Sequence, residues 1–125
     1  MKVLRKLMFS VTIFSALIAP SLTYARYIDG NELKEWAYAH DRVVRRSQLE
    51  DTDFAALGRI TGFVAALHDA VDGVLVCTTA GVSLGQVVAV AAKYIQEHPE
   101  VWNGPAYASV IVALQEAWPC PDSNP

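Results

Sequence analysis

An all-α fold is predicted by three features of the 125-residue chain. Four stretches carry apolar residues at helical spacing between capping residues and breakers, and no stretch alternates long enough to build a sheet. Two cysteines, 43 positions apart, are available to close one small domain. The reading is therefore a four-helix domain with one disulfide.

Before the helices comes a leader. Residues 1–25 run from a basic start (Lys2, Arg5, Lys6) through an apolar stretch, 7–19, to small residues ending in Thr23, Tyr24 and Ala25. That order is a secretory signal peptide, with cleavage expected after Ala25. A bilayer span needs about 20 apolar residues, and this run is interrupted by Ser10, Thr12 and Ser15 and stopped by Pro20, so no stable membrane anchor is expected. Removing the leader takes three basic residues and no acidic ones, which leaves seven basic against thirteen acidic residues, net −6, in a domain of residues 26–125. A surplus of that sign disfavours nucleic acid and anionic lipid, and suits a basic protein partner or solubility alone. Export also places the thiols in an oxidising compartment, where Cys77 and Cys120 are expected to pair. The closed loop is worth roughly 4 kcal/mol in the chain-entropy account.

The first helix is expected over residues 31–47, capped by Asp29 or Asn31, with Glu32 and Glu35 near its positive end and Arg42, Arg45 and Arg46 near its negative end. Its apolar face reads Leu33, Trp36, Ala37, His40, Val43 and Val44. The second, 53–72, opens on Asp53 as a carboxylate cap and stops at Gly73, with Phe54, Leu57, Ile60, Val64, Leu67 and Val71 as its stripe. Gly58 and Gly62 would open a groove there for another helix. A short strand over 74–76 is conceivable but has no clear partner. Ser83 then caps a third helix, 84–97, with Val87, Val88, Ala91, Tyr94 and Ile95 inward. The fourth, 105–118, starts at Pro105 behind Asn103 as cap, buries Ala106, Val110, Ala113, Leu114 and Ala117, and is halted by Pro119.

Catalytic patterns are missing. His40, His68 and His98 have no partners at metal-ligand spacing, no glycine-rich phosphate loop follows a strand, and no nucleophile elbow exists. His68 and Asp72, four apart on one helix, read as a surface pair. Neither a cofactor, a metal nor a catalytic residue is assigned, and a binding protein is expected. The segment that stands out is the turn 97–105 between helices three and four. It offers Glu97, His98, Glu100, Trp102 and Asn103 as candidate partner-binding residues. Tryptophan is enriched at binding hot spots, and it is equally suited to staple two helices together.

The second half of the chain resembles a known family. Cys77 is followed by Gly81, Val82, Ser83, Leu84, Gly85 and Gln86 at a helix start, then Lys93, Tyr94 and Ile95 lead to His98, Pro99 and Glu100, and Trp118, Pro119 and Cys120 close the domain. That pattern, together with Asn31, Glu32 and Leu33 and with Gly62, Phe63, Val64, Asp69 and Ala70 upstream, is similar to the Rap/Tai family of type VI secretion amidase immunity proteins. The chain departs from it by lacking two further cysteines, which would fall near Ala37 and Ile60, and by Thr79 where proline is common. The resemblance implies a helical periplasmic protein, often a homodimer, that binds and blocks a cognate peptidoglycan amidase toxin. The alternative from another functional class is an acid-stress chaperone of the HdeA kind, which is also small, helical, periplasmic and tied by a disulfide.

Overall fold

The computed structural model describes residues 27–121, so the leader and its expected cleavage site lie outside the described residues. Four helices follow in order: α1, Gly30–Arg45; α2, Asp53–Val71; α3, Leu84–Glu97; and α4, Ala106–Ala117, with a single 3-10 turn at Pro99–Val101. No strand forms among the described residues. The segment expected as a strand contributes only an isolated bridge between Asp72 and Val76. Its amides instead fold back on the carbonyl of Val71, and Gly73 takes the left-handed conformation (φ 77°) that makes this turn possible.

The caps explain where the helices begin. Asp29 caps α1, its Oδ1 accepting the Glu32 amide at 2.9 Å. At α3, Ser83 and Gln86 form a reciprocal capping box. Two expected caps are replaced. Asp53 is the first residue of α2 and is wholly buried, so its carboxylate serves Arg42 and the Glu50 amide, and Thr52 precedes the helix without a side-chain cap. Pro105, not Asn103, is the residue before α4. The expected N-terminal position of proline is thus displaced by one residue, since its extended ψ of 130° places it outside the helix.

The core is built from Leu33, Trp36 and Ala37 of α1, Ile60, Val64 and Val71 of α2, Val87, Val88, Ala91 and Ile95 of α3, and Ala106, Val110 and Leu114 of α4, with Val76 between helices. Trp36 meets Phe63 edge to face at 6.2 Å. Three readings of the apolar faces are corrected. Val44, in the last turn of α1, and Phe54, in the first turn of α2, are each 64 % exposed; Ala117, the last residue of α4, also faces solvent. Gly58 and Gly62 do not receive another helix: both are exposed, and an added Cβ would meet nothing within 4 Å. The inward face of α2 is the opposite one.

The Cys77–Cys120 disulfide is formed. It ties the loop before α3 to the segment after α4, where the Cys77 amide also donates to the Trp118 carbonyl at 2.9 Å. His68 anchors the same loop, with Nε2 2.8 Å from the Thr78 hydroxyl and 3.7 Å from Asp72. That expected surface pair is therefore part of a loop clamp.

Candidate partner-binding turn

The turn 97–105 leaves α3 with its backbone under restraint at every step. His98 directs Nδ1–H to the Tyr94 carbonyl at 2.8 Å and stacks its ring on Tyr94 with centroids 3.9 Å apart. Pro99, Glu100 and Val101 make the 3-10 turn. Trp102 then folds inward: its indole N–H donates to the Ile95 carbonyl at 2.8 Å, its ring packs half-buried on the core, and the Lys34 ammonium lies 4.7 Å from the ring centroid. Of the two roles open to Trp102, stapling is the one for which contacts are present within the chain.

The far side of the turn is locked to the start of α1. The Gly30 amide donates to the Gly104 carbonyl at 2.9 Å, Asp29 bridges Pro105, and Asn31 Nδ2 donates to Asn103 Oδ1 at 3.3 Å. At Gly30 the approach is so close that a Cβ would stand 2.6 Å from the carbonyl oxygens of both Val101 and Trp102. Glycine is required there by contact rather than by φ. Gly30 and Lys34 support the turn without any local sequence signal, since a close backbone approach from a distant segment leaves no local pattern; the hint is a glycine beside a helix cap.

What the turn presents outward is acidic. Glu97, Glu100 and Asn103 are exposed, and among the described residues Glu97 pairs with an exposed Lys93 at 3.9 Å. From Pro99 to Pro125 the chain contains no lysine, arginine or histidine. The turn is therefore a braced, anionic element. On α1, Arg42 is engaged with Asp53 at 2.6 Å. Among the described residues no group of three or more histidine, cysteine, aspartate or glutamate side chains is placed to hold a metal ion.

Fold and turn together define a small, disulfide-closed helical module that carries an acidic, braced turn at one end. The family profile of the Rap1a immunity proteins matches residues 29–120, and the chain belongs to that family. The matched span begins at the α1 cap and ends at the second cysteine, so it includes both the disulfide and the turn. No curated protein and no solved structure matched the chain.

Proposed function

We propose that the chain is a periplasmic immunity protein, exported by a cleavable leader, that binds and inhibits a peptidoglycan amidase toxin of a type VI secretion system. Membership of the immunity family is the observation that carries this reading, and it favours immunity over the acid-chaperone alternative. The disulfide suits an oxidising compartment. Inhibition in this reading is non-catalytic. The turn enters or covers the toxin's cleft, with Glu97 and Glu100 meeting donor or cationic groups, Asn103 adding a polar contact, and His98 and Trp102 holding the backbone that presents them. An inhibitory interface of ordinary size buries about 1,200–2,000 Å² in total, so the turn must act with neighbouring surface.

The test is protection. Periplasm-directed expression of a peptidoglycan amidase of a type VI secretion system should lyse cells, and co-expression of this protein should prevent lysis. The double variant Glu97→Lys/Glu100→Lys should protect less well and associate more slowly, with an unchanged melting temperature, because exposed charges act mainly on encounter. Full lysis despite wild-type protein in the periplasm would overturn the immunity reading for that toxin.

A further inference from the structure

Beside the turn, α3 and α4 leave an open apolar groove of about 220 Å³, walled by Val101, Pro105, Ala108 and Val112 and bounded by Tyr94. Its sides are held in place: Tyr94 is stacked on His98, and Val101 accepts the Gly104 amide at 3.0 Å. Two exposed carboxylates stand beside these walls: Glu100 directly precedes Val101 on the turn, and Glu116 lies one helical turn beyond Val112 on α4. Burial first, and then these two charges, push the Tyr94 hydroxyl above its ordinary pKa. The rim is therefore acidic around an apolar floor. No basic residue follows His98 in the chain, and Lys93, next to Tyr94 on α3, is paired with Glu97 at 3.9 Å.

We propose that this groove is the anchoring pocket for the partner protein, taking one apolar side chain of leucine or phenylalanine type that is carried beside an arginine or lysine. This rests on the immunity reading and specifies the surface it uses. The charge pattern selects the occupant. A second copy of this chain would bring the same acidic rim to the interface, and an anionic lipid surface would be repelled by it, whereas a cationic neighbour on an apolar anchor meets Glu100 and Glu116. An anchor seated here also lies next to the exposed carboxylates of the turn, so one partner can engage both.

Two titrations test the groove separately from the immunity reading. In the first, amide chemical shifts of the intact mature protein are followed as acetyl-Arg-Leu-Arg-amide is added, with acetyl-Glu-Leu-Glu-amide as control. Shifts should cluster at Tyr94, Val101, Ala108 and Val112, with the acidic tripeptide at least fivefold weaker. Both Ala108→Phe, which fills the groove, and Glu116→Lys, on an exposed helical position, should weaken the basic tripeptide at least fivefold. Absent or scattered shifts, or equal response to both tripeptides, would refute the groove. In the second, the type VI secretion peptidoglycan amidase is the probe. Loss of at least tenfold in affinity for Ala108→Phe and Glu116→Lys is expected. Unchanged affinity in both folded variants sinks the groove while leaving immunity intact, whereas a hydrolase that ignores wild-type protein that binds the basic tripeptide in the groove sinks the immunity reading for that hydrolase alone.

Discussion

At Asp53 a wholly buried carboxylate accepts two hydrogen bonds from the Arg42 guanidinium, at 2.6 and 3.0 Å, and one from the Glu50 amide at 2.9 Å. The Arg42 bond, and then the Glu50 amide, hold its pKa below the usual aspartate value. Because the folded value is the lower one, its contribution is complete above the unfolded pKa of about 4 and is lost as pH falls through the folded value. Melting temperatures taken from pH 7 to pH 2 should drop most steeply below about pH 4, and Asp53→Asn should flatten that drop while lowering the melting temperature at pH 7. Arg45→Ala, which removes only an exposed pair with Asp41 at 2.7 Å, should change little by comparison. Gly30 gives a second residue-level expectation. A methyl placed 2.6 Å from two backbone oxygens forces α1 and the turn apart, so Gly30→Ala should cost about 1–3 kcal/mol in urea unfolding, although alanine is the better helix former.

Among the elements, α2 and the turn make opposite predictions from similar-looking sequence cues. Gly58 and Gly62 suggest close helix packing, yet they face solvent with nothing within 4 Å. Gly58→Ala and Gly62→Ala should each stabilise the protein by about 0.4–1 kcal/mol by chemical denaturation. A loss of stability or a changed association state would show that this face is covered in solution. In the turn, Trp102 is half-buried and hydrogen-bonded to Ile95. Full burial of a tryptophan makes its truncation cost about 3–5 kcal/mol, so Trp102→Ala should cost somewhat less, about 2–3 kcal/mol, and loosen the loop that displays Glu100 and Asn103. Protection should fall with it. The helix boundaries themselves were legible to within two residues, because Asp29, Ser83, Gly73 and Pro119 act through local backbone chemistry. The caps assigned to Asp53 and Asn103 were not, since each side chain has a partner from α1 that no local rule reveals.

For the molecule as a whole, the disulfide joins the two ends of the α3–α4 half, closing a 43-residue separation, and α1 and α2 pack against that half. Removing it by Cys77→Ser/Cys120→Ser should cost about 2–5 kcal/mol, and the mass of the exported protein without reductant should lie two hydrogens below the free-thiol value. Two alkylatable thiols in that protein would contradict the bond. The all-helical class, the disulfide partners and the family could be read from the chain because they depend on periodicity, cysteine count and short motifs, each of which is local or combinatorial. The inward stripes of the four helices were likewise legible, but where Asp53 and Trp102 point, which rim residues such as Val44 and Phe54 stay exposed, and the groove between α3 and α4 depend on contacts between segments far apart in the chain. Such contacts are chosen by the packing of all four helices at once: Gly30 against Trp102 and Arg42 against Asp53 exist only when α1 is seated, and no periodicity within either segment encodes the other.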